Sequence, residues 1–496
     1  MGTVSGFEVL LFWEGRMKWL AGVVGGLFVL FGVVWYGTVP EDFPVPERQD
    51  ITISGVTVIN PGVERLLDQT IVVRGGLITA IRPRGADDPA PLCEDCFALP
   101  GLIDAHVHTP PRAVIGNQRL FALLYLAHGV TSVRDVGQSE PGIAEFARGL
   151  NEGEIVGPHM YRCGPVLEGT PPAWPVATIV ETAEEARAIA MQLVDEGVDC
   201  LKIYNEVKLD AYEAIAAVGQ ERGVPVIGHV PHAVGLRGVS NFESQHLTGV
   251  PYVALPRPPM GWDVRDVDIL AMSEDDIEEV LQIAEARNIS FTPALANFAL
   301  RLTDSDRERF PPTPAAAHLP DFWSDSWQLV AGHPTGDEAI ATKLASVERM
   351  YDIVGRIHGA GLDVLAGTDT LMPWVVPGES LLLELDELEK AMGDREAVLA
   401  TATTVNGRHI APGEVGVIAV GARADILLLA GDPVVSLSAL PDWKVLVADG
   451  RLYPRETIDE WLDVYDAHFH GIIYDTAISG LVSLIAGQFT KAPNEE

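Results

Sequence analysis

Two histidines, His106 and His108, close the apolar run LPGLIDAHVHT. In an extended chain, residues at i and i+2 face the same side, so both imidazoles can reach one metal ion from the end of a strand. The pair alone is weak evidence. Lys202 adds to it, lying inside the apolar stretch CLKIYNEV, where an ammonium is costly to bury without a partner. His229 in VPVIGHV, His246 in FESQHLTG and Asp369 in DVLAGTD each come near the end of a further apolar run. Taken singly, a strand-end His usually satisfies a hydrogen bond and a strand-end Asp often caps a helix. Taken together and in order, they are hard to attribute to chance, and they form an imidazole and carboxylate set suited to divalent ions.

These residues need a scaffold that brings distant strand ends together. Short β-branched runs alternate with helical patterns through LIDAHVH, VTSVRDV, HMYRCGPVL, CLKIYNEV, VPVIGHV, FESQHLTG, ISFTPAL and DVLAGTD. Helical segments such as ETAEEARAIAMQLVDEG and SEDDIEEVLQIAEARN lie between them, opening on Thr or Ser near a carboxylate. Eight strands with intervening helices predict an α/β fold, a TIM barrel over 99–405, with every candidate residue at a carboxyl-terminal strand end. An insertion, 296–343, separates strands seven and eight and holds Phe322, Trp323 and Trp327. It is expected either as a lid on the pocket or as packing on the barrel side.

Alternating runs on both flanks, 49–98 and 406–454, predict one composite β-sandwich built from both ends of the chain. The tail, 455–496, reads as a helical segment ending in AISGLVSLIAGQF, whose apolar spacing fits an amphipathic helix that could dock on its own domain, on a second subunit or on a bilayer surface, so a homo-oligomer is compatible with it. Residues 1–48 read as a short cytoplasmic stub, a transmembrane anchor and a linker. The run Trp19–Thr38 is uncharged over about the 20 residues that span a bilayer. Arg16 and Lys18 precede it while Glu41 and Asp42 follow, which predicts that the bulk of the chain lies on the extracytoplasmic side, periplasmic or extracellular. No small-x-small site follows the run, so an uncleaved signal anchor is expected rather than a signal peptide, with Met17 as an alternative start.

Composition narrows the partners. With 70 Asp+Glu against 34 Lys+Arg, the formal charge of −36 repels phosphate backbones and argues against nucleic acid. The acidity reads as a solubility or salt-tolerance trait. Four cysteines in 496 residues are not a disulfide framework. Cys93 and Cys96 either close a local disulfide or stand as thiols in a tight loop, and Cys163 and Cys200 read as core residues.

HxH, Lys, His, His and Asp on strands one, four, five, six and eight resemble the amidohydrolase superfamily, specifically its binuclear subtype, from about Ile51 to Pro454. The stretches KIY, GHVPHAVGL, HLTG and AGTD are most similar to the branch of imidazolonepropionase and of enzymes that hydrolyse Xaa-Pro dipeptides and acylated amino acids. The chain departs from those dipeptidases in GPVLEGTPPAWP, where they carry a Gly-Gly-His stretch, and from imidazolonepropionase in having Lys202.

The resemblance implies two divalent ions, with zinc favoured, and a Lys202 carboxylated by carbon dioxide to a bridging carbamate. It implies His106 and His108 on the more buried ion, His229 and His246 on the other, and Asp369 as a ligand facing a bridging hydroxide. Asp369 would then act as general base and acid in cleaving a carbon–nitrogen bond of a small amide or dipeptide-like molecule. Tyr204, His232 and Trp374 are candidates to bind substrate, with Glu168 and Trp174 on nearby loops. Arg134 and Asp135 are expected to pair with each other, and His468 and His470 to hold no metal. An ester, lactone or organophosphate hydrolase on the same ions is an alternative. So is a non-catalytic membrane-anchored scaffold, although that reading predicts lost ligands and all six are present.

Overall fold

A computed structural model describes residues 37–479 except 139, 141, 174–175, 256–263, 301–312 and 331–335. Most of the apolar run Trp19–Thr38, Trp174 and the end of the tail lie outside the described residues. Among the described residues no helix is long and apolar enough to cross a membrane.

The amino-terminal flank forms β1 (Ile51–Asn60), β2 (Glu64–Arg74), β3 (Leu77–Pro83) and β4 (Phe97–Pro100). The barrel strands are β5 (Leu102–Val107), β6 (Val130–Asp135), β7 (His159–Arg162), β8 (Leu167–Glu168), β9 (Thr178–Ile179), β10 (Leu201–Ile203), β11 (Val226–Gly228), β12 (Phe242–Gln245) and β13 (Ile289–Thr292). The carboxyl-terminal flank adds β14 (Ile426–Leu429), β15 (Trp443–Ala448) and β16 (Arg451–Pro454).

Both flanks join in one seven-stranded sheet of order β16-β15-β14-β4-β1-β2-β3. The expected sandwich is therefore one continuous sheet. Its far edge turns back onto the chain ahead of β14, with Ile78 N donating to Ala422 O at 2.9 Å and Gly421 N to Ile78 O at 2.8 Å. Ile53, Val58, Ile71 and Val73 from one flank and Ile426, Leu428 and Val447 from the other share its core.

Parallel pairing runs β5-β6-β7 and β8-β10-β11-β12-β13. The predicted third strand is broken: β7 pairs with β6, while β8 pairs with β10. Gly164 at φ +72 and the following proline, which has no N–H to give, interrupt the run between them. The predicted eighth strand also differs. Residues 363–370 close the barrel through single bridges, Phe291 to Val364 and Val107 to Thr370. The hydrogen bonds there are nonetheless well formed, with Leu365 N donating to Phe291 O at 2.8 Å and Ala105 N to Ala366 O at 3.0 Å. Gly367 permits this close passage, since a Cβ there would lie 2.7 Å from the His106 Cβ. The two helix starts read from sequence are present, with Thr182 accepting from Glu185 N and a reciprocal Ser273 and Asp276 capping box.

Arg134 does not pair with Asp135. It crosses the barrel interior to Glu243, Nη2 to Oε1 at 2.5 Å, and Asp135 instead accepts from Thr109 N and Oγ1. Burial opposes the Glu243 charge, and the Arg134 guanidinium more than offsets it. Removing one partner strands the other, so Arg134→Met is expected to cost about 3–5 kcal/mol in urea unfolding. The Arg134→Met, Glu243→Met double variant should recover most of that loss; an equal loss in both would show that the pair is not the source.

The cysteines are paired: Cys93 with Cys96, and Cys163 with Cys200. Cys163 and Cys200 are buried as expected, but they are bonded to each other, because the end of β7 and the start of β10 meet inside the barrel.

The tail helix Arg455–Phe469 docks on its own domain against the helix Asn117–Ala127 that follows β5. Buried Asn117 donates to Tyr474 Oη at 2.6 Å and accepts from Trp323 Nε1 at 2.8 Å, tying tail and insertion to one point. Phe43 stacks on Trp461 at 5.1 Å, so the linker lies along the same helix. The insertion packs on the barrel side through Phe322 and Trp323, reaches the loop after residue 370 through Trp327, and sends its first helix, Leu295–Leu300, into the pocket.

Candidate active site

His106 sits within β5 and His108 just beyond it, Lys202 at the centre of β10, His229 after β11, His246 after β12, and Asp369 in the closing segment. All six line one cavity together with Tyr204 and Asn297. Asp369 is the hub: its Oδ1 lies 3.2 Å from Nε2 of both His106 and His108, and its Oδ2 lies 3.6 Å from His246 Nε2. His229 and His246 stand edge to face at 5.3 Å between ring centres.

Local backbone conformation makes these approaches possible. His246 at φ 55 and Asp369 at φ 63 occupy the left-handed region, which costs about 1–3 kcal/mol per residue and persists where packing enforces it. Gly228 at φ +133 lets β11 run beside Lys202, since a Cβ there would meet Ile203 O at 2.1 Å and Lys202 Cδ at 3.0 Å.

Burial, reinforced by the Lys202 charge, holds the His229 imidazole well below its ordinary range. Burial does the same for His106, against the pull of Asp369. Both rings are therefore neutral and keep a lone pair to donate. For Asp369 burial opposes ionisation, but the His246 and His106 imidazoles outweigh it and keep the carboxyl ionised. Lys202, fully buried, is pushed down to about 7 by burial, with Asp369 and Glu243 pulling the other way.

Both ring nitrogens of His106 are buried without a hydrogen bond, despite the 3.2 Å approach of Nε2 to Asp369. Orphaned neutral imidazole nitrogens facing an ionised carboxylate fit a cation. His106, His108 and Asp369 can each offer one ligand atom within 4.8 Å of the others.

The residues around this set were not singled out from sequence. Lys202 Nζ donates to Gln245 Oε1, and Gln245 Nε2 lies 3.4 Å from Glu243 Oε1, so the Arg134 and Glu243 pair reaches the lysine through one amide. His229 Nδ1 contacts Asn205 Oδ1 at 2.8 Å, which leaves Nε2 as the lone-pair nitrogen. Asn297 Nδ2 donates to Asp369 Oδ2 at 2.7 Å. Gln245 and Asn205 are neighbours of the motif residues in sequence and were findable on that ground; Asn297 carried no signal.

Tyr204 lines the cavity and stacks on the His229 ring at 3.8 Å. The other two substrate candidates do not border it: His232 Nδ1 faces Glu206 at 3.1 Å, and the Trp374 ring packs at 5.5 Å from Trp327. Glu168 is buried and accepts from the backbone N–H of Glu206, Gly169 and Ala173, a loop-building role. His468 contacts Thr38 O and His470 contacts Ala317 O, both far from the cavity in the fold.

With the barrel and this cluster in view, the sequence profile of the Amidohydrolase family matches residues 97–454. The chain belongs to that family and is accordingly a hydrolase directed at carbon–nitrogen bonds, of a kind that typically depends on metal. Among solved structures, the bottromycin amidohydrolase is similar at 24% identity and TM-score 0.69, over 88% of this chain and 96% of that one. An A. niger ochratoxinase follows at 18% identity and TM-score 0.60, over 82% and 96%. A Xaa-Pro dipeptidase with methionine in its active site gives 17% and 0.58, over 82% and 100%. These likenesses establish the fold. Among curated proteins, no relative matches the sequence.

Proposed function

We propose that the chain hydrolyses the amide bond of a small or dipeptide-like molecule at a centre of two divalent ions, with zinc favoured. The observation that carries this reading is the convergence of His106, His108, Lys202, His229, His246 and Asp369 on one cavity, with neutral imidazoles turned toward an ionised carboxylate. Bound ions would supply Lewis acidity toward the scissile carbonyl and make a water acidic enough to attack it near neutral pH. His106 and His108 with Asp369 would hold one ion, and His229 and His246 the other. Asp369 would take a proton from the attacking water and return it to the leaving nitrogen. Tyr204 and the apolar side chains of Val166, Val264, Phe298 and Met372 would seat the rest of the substrate.

Lys202 would join both halves as a carbamate. Its neutral amine adds to carbon dioxide, a C–N bond forms, and one amine proton leaves to solvent, giving an anion. Burial that brings Lys202 to about 7 supplies that neutral amine at physiological pH. At fixed dissolved carbon dioxide, metal loading of the ion-free chain should therefore quicken about tenfold between roughly pH 6 and pH 8, following the neutral fraction of the amine. A flat profile, or one unaffected by removing carbon dioxide, would count against the carbamate.

The primary experiment pairs metal analysis of the full chain in detergent with a panel of amides and esters. About two ions per chain and a clear preference for amides are expected; a single ion, or faster ester cleavage, would overturn the respective half of the proposal.

We further propose an extracytoplasmic location, with the run Trp19–Thr38 as the anchor. The two disulfides support an oxidising compartment. Deleting residues 1–36 should move the protein from alkali-washed membranes to the soluble fraction, and persistence in the membrane would refute the anchor.

A further inference from the structure

We propose that Asn297 is a positioning residue that fixes how the Asp369 carboxylate divides its two oxygens, an inference that rests on the metal centre proposed above. Oδ1 points to His106 and His108, at 3.2 Å from each Nε2. Oδ2 accepts from Asn297 Nδ2 at 2.7 Å, whereas His246 Nε2 stands 3.6 Å from it, beyond hydrogen-bond distance. The torsion that turns a carboxylate about its own axis is broad, so a carboxylate held at one oxygen alone can swing. Asn297 removes that freedom by pinning the second oxygen. One oxygen is thereby kept with the two histidines, while the other is kept toward the cavity, where a proton must arrive and leave.

The support of Asn297 is itself specific. It is 2% exposed and lies in the helix Leu295–Leu300, directly after β13. Ala294, at φ 51, makes the turn from strand to helix, and Ala296 N at the start of that helix donates to Glu384 Oε2 at 2.7 Å. Glu384 is fully buried, and its Oε1 has no hydrogen-bond partner. A carboxyl group in that setting is costly to bury, and its contacts with the backbone N–H groups of Ala296 and Leu295 anchor the helix that carries Asn297. The chain of contact thus runs from Glu384 through the helix to Asn297 and on to Asp369.

The test uses the full chain loaded with cobalt, whose visible bands report the geometry of its ligands, in Asn297→Leu, which keeps the volume and removes the donor. Bound cobalt should match the parent, the visible bands should shift, and kcat should fall about 10- to 100-fold with KM within about twofold. Parent-like bands and kcat would show that the contact is idle. Loss of cobalt in proportion to activity would show that Asn297 holds the centre together rather than orienting Asp369. If the parent chain itself binds no cobalt, the metal centre falls and this inference with it. Glu384→Ala, which releases the helix from outside the cavity, should reproduce the band shift to a smaller degree. If Asn297→Leu does not fold, that variant decides: parent-like bands in it would refute the proposal.

Discussion

Asp369→Asn is expected to lower kcat by roughly 10³-fold, within the range that a positioned proton-transfer group contributes. Asparagine keeps the shape and an oxygen for the histidines to face, but it cannot hold a proton between water and leaving nitrogen. Its amide would also present N–H to one of two groups, His106 and His108 on the Oδ1 side or Asn297 on the Oδ2 side, and neither arrangement reproduces the present contacts. Metal content read beside kcat separates the two effects. A large fall in kcat with ions retained supports the proton role. Loss of ions and activity together would make Asp369 chiefly a ligand, and retention of more than about a tenth of kcat would remove it from the chemistry altogether.

Lys202→Met is expected to remove the second large contribution, lowering bound metal from about two ions to one or fewer and abolishing most activity. Methionine is the informative replacement because it fills nearly the same volume without an amine. Stability should move the other way in the ion-free protein. The Lys202 amine falls from its ordinary 10.5 to about 7 on folding, so the unfolded chain holds its proton more tightly. The resulting penalty sets in as pH drops below 10.5, is complete below about 7, and is absent at high pH. Ion-free Lys202→Met should therefore melt above the ion-free parent near pH 7, with the gap closing toward pH 10 or so. A variant that melts lower at every pH would mean that the amine is better satisfied by Gln245 than its burial suggests. Unchanged metal content would end the bridging role.

The six residues that line the cavity stood out in the sequence because each has both a distinctive residue type and a distinctive place, at or near the end of an apolar strand. The barrel was legible for the same reason, since its strands and helices differ in period. What escaped has a common physical character. Asn297, Gln245 and Asn205 are ordinary amides, and their roles arise only from what folding brings near them. Arg134 and Glu243 are 109 positions apart, so the tempting partner was the adjacent Asp135. Cys163 and Cys200 lie on either side of a helix, and only the parallel return of the chain sets them side by side. The broken third strand, interrupted at Gly164 and the proline after it, and the close passage of the eighth segment at Gly367 involve backbone demands that cannot be weighed until the neighbouring strand is known.

β4 belongs to the flank sheet and β5 to the barrel, with Gly101 alone between them. The strand that presents His106 is thus a direct continuation of one whose other edge pairs with β14, more than 300 residues later. During synthesis, a ribosome must translate the entire barrel before the segment that seals β4 exists. A nascent chain can gather most of its helices and strands early, yet the mooring of its first two histidines arrives almost last. Truncation ahead of β14, far from the pocket in sequence, would loosen the candidate site at its root, and an isolated barrel excised at residue 101 would lack the strand from which β5 continues.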